Sequence, residues 1–320
     1  ILSAQTATPM QTPELNKSAT NEDDGIVHRA GHNMKEKNSS ILNSGSLKVD
    51  ATAGVQAGPV GTITLTAPDV QNSGTLSATN LAANPYPEHT SLAPTAADIG
   101  RISVQADTFT QTATGLLNVS AVATNAGTID IAAAQAMSVS GRIFANGVVN
   151  DPGQIVANAL GGTIQLQTSS RADLTTVVLD ASGEGGGGRI HIQADGVPTP
   201  TNNPADNSNQ MPIKGAVLLS TNTVLRANSA RAHAGRVEVE GDHINLETAT
   251  LIEAKGATQG GTVLIGGDWQ GGGTMRQATT VTMSADSTID ACATINGDGG
   301  QVVLWRAIDN ASSVTTVHGT

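Results

Sequence analysis

Three acidic residues in this chain stand where paired-carboxylate chemistry needs them. Asp180, Glu253 and Asp290 each occupy the middle of an aliphatic-x-Ala triplet: Leu179-Asp180-Ala181, Ile252-Glu253-Ala254 and Ile289-Asp290-Ala291. Arg226 holds the same phase in Leu225-Arg226-Ala227. If these triplets stack, neighbouring carboxylates lie about 5 Å apart, near the separation used by retaining glycosidases. An outward acidic residue is more often part of a solvated face, and no cleft or nucleophile–base pair is legible beside these.

Other constellations are weaker. His28 and His32, in HRAGH, have the i, i+4 spacing that would place two imidazoles on one helix face beside Glu22, Asp23 and Asp24, but Gly31 argues against a helix. INGDGGQVVL (Ile295 to Leu304) and ASGEGGGG (Ala181 to Gly188) are similar to calcium-binding nonapeptides, yet each is isolated, and glycines at chain corners explain them better. GGTVLIGGDWQGGG (Gly260 to Gly273) lacks the Lys-Ser or Lys-Thr that a phosphate loop requires. Its Thr262-Val263-Leu264-Ile265 reads as a strand. Trp269 and Trp305 have the rings to stack on sugars, but in a chain of small residues covering a corner is the plainer role. No catalytic, cofactor-binding or metal-binding residue is assigned, and no cofactor is expected.

The elements that would position these residues repeat. Ten glycines each open a run whose second and fourth residues are aliphatic: Gly45, Gly61, Gly100, Gly127, Gly162, Gly188, Gly215, Gly235, Gly261 and Gly300. Intervening positions are mostly polar, as in Arg101-Ser103 and Thr128-Asp130, so one face is dry and the other wet. Aliphatic-x-Ala triplets precede several of these glycines by a short, regular interval. Gly100 to Gly127, Gly162 to Gly188, Gly188 to Gly215 and Gly235 to Gly261 each read as one coil of two or three short strands. The expected fold is all-β, a parallel β-helix in which about ten coils stack to roughly 50 Å.

Composition agrees. Aromatic residues make up 2% of 320, so a core must be filled by aliphatics and alanine, which suits a thin interior. A net charge of −11 argues against a phosphate-backbone partner, and no nucleic acid is expected. Cys292 is the single cysteine, so no internal disulfide forms. No apolar run is long enough to span a membrane, and a first residue that is isoleucine suggests processing upstream. Residues 1–40 lack the repeat and read as an extension or cap; residues 41–320 read as the solenoid, with insertions near 79–99, 146–161, 196–214 and 266–281. The proline-rich insertions are the candidates for a recognition surface. Leu264 and Val303 are apolar at outward positions and, with Trp305, mark a self-association surface unless an insertion covers them.

Leu179-Asp180-Ala181-Ser182-Gly183 followed by Gly185 to Gly188 and RIHI, the Gly260 to Gly273 stretch, and STIDACATINGDGGQVVLW (Ser287 to Trp305) together resemble the repeat region of filamentous haemagglutinin-like proteins, bacterial two-partner-secretion exoproteins. The likeness is strong over Gly235 to Trp305, moderate back to Gly100 and weak before Gly61. It implies a single-stranded right-handed parallel β-helix with loop insertions and export through an outer-membrane transporter. It also implies an extracellular or cell-surface role in adhesion, aggregation or biofilm, with host or bacterial surface glycans or proteins as partners. Two departures stand out. The family's N-terminal secretion domain with its asparagine-rich motifs is not found, and Cys292 occupies a place where the family carries a small serine, which fits a small buried residue. The competing expectations are a carbohydrate-active β-helix and a passive passenger stalk.

Overall fold

The structure is a computed structural model, and it describes residues 2–4, 26–30, 39–50, 61–80, 100–122, 124–148, 159–196 and 215–320. It is a parallel β-helix of three faces. Face one stacks Leu2–Ala4, Thr62–Thr66, the first part of Arg101–Gln111, the first part of Thr128–Phe144, Thr163–Thr168, Arg189–Ala194, Arg236–Glu240, Thr262–Ile265 and Gln301–Leu304. Face two runs from Ser39–Asn43 and Asp69–Asn72, through the later parts of the long strands, to Ala216–Leu219, His243–Leu246, Thr280–Met283 and Val314–Val317. Face three carries Ser46–Lys48, Thr75–Ser77 and Leu116–Asn118, then Val224–Arg226, Leu251–Glu253 and Thr288–Asp290. Among the described residues one pairing is antiparallel: Ile26–Ala30 lies along Ser39–Asn43.

Alternation builds the core. On face one Ile63, Ile102, Ile129, Ile164, Ile190, Val237 and Val263 are in register and fully enclosed. On face three Leu76, Leu117, Ile143, Leu179, Leu225 and Ile252 do the same. Like side chains stacked one winding apart remove apolar area from water without aromatics, which is how so few rings suffice.

The link between aliphatic-x-Ala and the next glycine is a hydrogen bond that closes each winding. The N–H groups of Gly188, Gly235, Gly261 and Gly300 donate to the carbonyls of Ala181, Ala227, Ala254 and Ala291 at 2.7–2.8 Å. Only glycine fits there, because a Cβ on Gly235 would stand 1.8 Å from the Gly188 carbonyl oxygen of the winding below.

Two of the ten glycines open other faces. Gly45 precedes Ser46–Lys48 on face three, and Gly215 precedes Ala216–Leu219 on face two. The Gly188 to Gly215 interval is therefore not one coil: the winding that starts at Gly188 closes only at Gly235, carrying its insertion between faces one and two. Face one shows nine levels among the described residues, so its length is about 40 Å rather than 50.

The corner between faces two and three changes along the rod. Near its start a buried amide ladder holds it: Asn43 Nδ2 donates to Asn72 Oδ1 at 2.7 Å, Asn72 Nδ2 to Gln111 Oε1 at 3.1 Å, and Gln111 Nε2 to the Ser140 carbonyl at 2.9 Å. Later windings use hydroxyls instead, with Thr223, Thr250 and Ser287 donating to the Leu174, Leu219 and Glu247 carbonyls. The insertions at 81–99, 149–158 and 197–214, and most of 1–38, lie outside the described residues. No described helix is long and apolar enough to cross a membrane.

Candidate functional site

The stacked triplets bring the carboxylates into one outward row on face three. Asp180, Arg226, Glu253 and Asp290 are in register on consecutive windings. Asp180 is separated from Glu253 by Arg226, whereas Glu253 and Asp290 are direct neighbours. Cations fill the spaces: Arg226 Nε donates to Glu253 Oε2 at 2.8 Å, Lys255 Nζ pairs with Glu253 Oε1, and the same ammonium lies 3.7 Å from Asp290 Oδ2. Burial pushes the Glu253 carboxyl up, but hydrogen bonds from Lys255 and Arg226 outweigh it and hold it below its ordinary value. For Asp290 burial is likewise overcome, by hydrogen bonds from Cys292 and the charge of Lys255. Both groups are anions near neutrality. A glycosidase-type pair needs one carboxyl raised so that it keeps a proton to give, and this pair contains none.

Lys255 also stands at the edge of a groove of about 450 Å³ that runs along the rod where face three turns toward face one. Its floor is a column of single parallel bridges, Gly147 to Gly183 to Ser229 to Gly256 to Ala293. The floor residue of each winding faces inward, so the residues on either side of it become the rims. Asn146, Ser182, Asn228 and Lys255 form one rim; Val148, Glu184, Ala230 and Thr294 line the other. The first rim is held by its own polar groups: Ser182 Oγ accepts from Asn228 N at 3.1 Å, and Asn228 Oδ1 from Lys255 N at 2.8 Å. Glu184 is paired with Arg231 at 3.3 Å.

A third cluster sits on the outer side of face one. Glu238 accepts from Arg189 Nε and Arg236 Nε, each at 2.6 Å. His191 Nε2 lies 2.7 Å from Glu240 Oε1, and Glu240 Oε2 accepts from the Arg276 backbone N–H at 2.9 Å. Burial raises the Glu240 carboxyl, and the hydrogen bonds from His191 and Arg276 bring it below its ordinary value. Arg276 belongs to the insertion after Thr262–Ile265, and its guanidinium reaches Asp242 at 2.8 Å.

This cluster corrects the proposed self-association surface. Leu264 and Val303 are 0% and 5% exposed within a single chain, because the insertion from Gly266 folds back along this side of the rod. Gly266 can start that reversal because its φ is +75°, a left-handed conformation that glycine adopts without strain. Trp305 is half-buried beside it, its Nε1–H donating to Gln277 Oε1 at 3.3 Å. Trp269, expected to cover a corner, is instead 59% exposed at the tip of the insertion. Cys292, expected to be buried, is exposed, and the neighbouring Asp290 carboxylate raises its thiol above its ordinary value.

The glycines of the two calcium-like stretches serve backbone pairing: the Gly186 carbonyl accepts from Gly161 N, Gly187 N donates to the His233 carbonyl, and Gly300 N donates to the Ala291 carbonyl. Among the described residues no group of three His, Cys, Asp or Glu side chains is placed to hold a metal ion. His28 lies in the strand Ile26–Ala30 rather than a helix, and His32, Glu22, Asp23 and Asp24 lie outside the described residues.

In comparisons with known proteins, no family model, no curated protein and no solved structure matches the chain.

Proposed function

We propose that the chain is an extracellular, non-enzymatic structural and adhesive protein, a surface adhesin or fibre-forming subunit that self-associates. The observation that carries this reading is the state of its one well-placed carboxylate pair: Glu253 and Asp290 are neighbours, but Lys255 and Arg226 hold both ionised. On face one, too, charged side chains pair with each other, as in Arg189–Glu238 and Arg276–Asp242. Among these paired groups of the described residues none is left activated for proton transfer or attack. The exposed Trp269, on a short turn capped by Asp268, supports a contact role for the insertion that bears it. The resemblance to filamentous haemagglutinin-like repeats supports the extracellular setting and an outer-membrane transporter as the export partner. The net charge of −11 disfavours nucleic acid.

The runner-up is a polysaccharide-cleaving β-helix, for which the adjacency of Glu253 and Asp290 is the specific support. A panel of polysaccharides incubated with the folded protein separates the two. Adhesion without cleavage is the expected result; cleavage lost on Glu253→Gln or Asp290→Asn overturns the structural reading.

A further inference from the structure

We infer that the groove along the face-three corner is a binding site for an extended, uncharged oligosaccharide lying parallel to the rod axis. This deepens the adhesive reading, on which it rests for its biological setting, by naming the site and the class of ligand.

Charge decides the class first. The two charged side chains lining the groove are already engaged, Lys255 with Glu253 and Asp290, Glu184 with Arg231. A sulfated or uronic polymer would have to draw Lys255 away from two carboxylates, and a cationic one would have to draw Glu184 from its arginine. A ligand made of hydroxyl groups breaks neither pair. It finds amide and hydroxyl partners in Asn146, Ser182, Asn228 and Thr294.

Asn146 supplies a separate observation. Its Oδ1 is enclosed and has no hydrogen-bond partner among the described residues. At the equivalent place two rim steps on, Asn228 Oδ1 accepts from Lys255 N, but the corresponding donor for Asn146, the Ser182 N–H, is diverted to Asp180 Oδ1 at 3.0 Å. A buried unsatisfied acceptor is costly, so a ligand hydroxyl that donates to this oxygen relieves a deficit.

Period decides between a glycan and a peptide. The rims repeat once per winding, about 4.8 Å, whereas side chains on one face of an extended peptide recur about every 6.6 Å. A peptide laid along the groove falls out of step within a few windings. A pyranose unit of an extended chain is close to one winding long, so successive sugars meet equivalent rim positions from Asn146 through Ser182 and Asn228 to Lys255. Among the described residues no aromatic side chain lines the groove, so binding rests on hydrogen bonds and the aliphatic contacts of Val148 and Ala230.

The test is saturation-transfer NMR on the whole folded chain with a panel of linear neutral hexasaccharides that includes cellohexaose, mannohexaose and chitohexaose. A heparin-derived hexasaccharide and an uncharged hexapeptide serve as counterparts. The expected result is a dissociation constant on the order of 1 mM for at least one neutral hexasaccharide. Ala230→Trp, which fills the groove from an exposed position, should weaken that binding at least tenfold with the melting temperature unchanged, and Asn146→Ala should weaken it severalfold. Val148→Trp blocks the other end and covers the case in which Ala230→Trp fails to fold. Preference for the heparin fragment or the peptide overturns the inference. So does absence of binding across the neutral panel, or neutral binding that survives both blocks. Particle adhesion that persists in the blocked variants removes the groove and leaves the adhesive reading standing. A parent protein that binds hexasaccharides but adheres to no surface does the reverse.

Discussion

At the scale of single residues, the row Arg226, Glu253, Lys255, Asp290 and Cys292 behaves as one electrostatic unit. Glu253, Asp290 and Glu240 all have folded-state values below the ordinary carboxyl value. Their contribution to stability is therefore present above that value and is lost as pH falls through the lowered ones. Lys255 is raised, chiefly by its hydrogen bond to Glu253, so its contribution holds below the ordinary lysine value and fades only as alkali passes the raised one. Acid melting curves should then show Glu253→Gln losing part of the pH dependence between about pH 5 and pH 2, and a slope unchanged from the parent would contradict the assignment. The same carboxylate chemistry reaches the thiol. Cys292 is exposed, yet Asp290 opposes its ionisation, so iodoacetamide should modify it more slowly near neutrality than in Asp290→Asn. Trp269 is the other residue with a clear expectation: Trp269→Ala should lower adhesion while leaving the melting temperature unchanged, since its ring is largely in water.

At the scale of elements, the winding is closed by glycine and alanine and filled by aliphatic stacks. Gly235→Ala puts a methyl group into the Gly188 carbonyl and should destabilise the rod severely, measurable as loss of a cooperative melt. Asn72 lies between Asn43 and Gln111, so Asn72→Ala removes the donor to Gln111 Oε1 and leaves Asn43 Nδ2 only its 3.4 Å bond to the Thr75 carbonyl, and it should cost about 1–3 kcal/mol, read by denaturant titration. The strands themselves were legible because period-two alternation and the opening glycines are local signals: Ile63 and Leu65, or Val237 and Val239, announce an inward face without any knowledge of their neighbours. Gly45 and Gly215 misled because all three faces begin with the same glycine–aliphatic pattern, and only the stacking register separates them. The carboxylate row was legible from the triplets. Lys255 was not singled out, although Ala254-Lys255-Gly256 repeats the small-x-small pattern of Ala145-Asn146-Gly147 and Ala181-Ser182-Gly183 that marks the groove rim. The burial of Leu264 could not be read locally, because its cover comes from an insertion whose path depends on Gly266 and on an anchor at Glu240, one winding away.

At the scale of the molecule, the outward side chains of the described strands form rows that run along the rod, and the function proposed is a property of rows rather than of a single pocket. Charges on faces one and three are paired along their rows. The groove between them repeats at the pitch of the solenoid, and Trp269 projects from its own insertion. On the proposed reading such a surface holds a partner without transforming it. The measurement that bears on this most directly is the chain-length distribution of a surface-bound neutral polysaccharide after prolonged incubation with the folded protein, taken together with the amount of protein retained. Retention with the polymer length unchanged is the predicted outcome. Shortening of the polymer that disappears in Glu253→Gln or Asp290→Asn, or a protein that washes free of every surface offered, would contradict it.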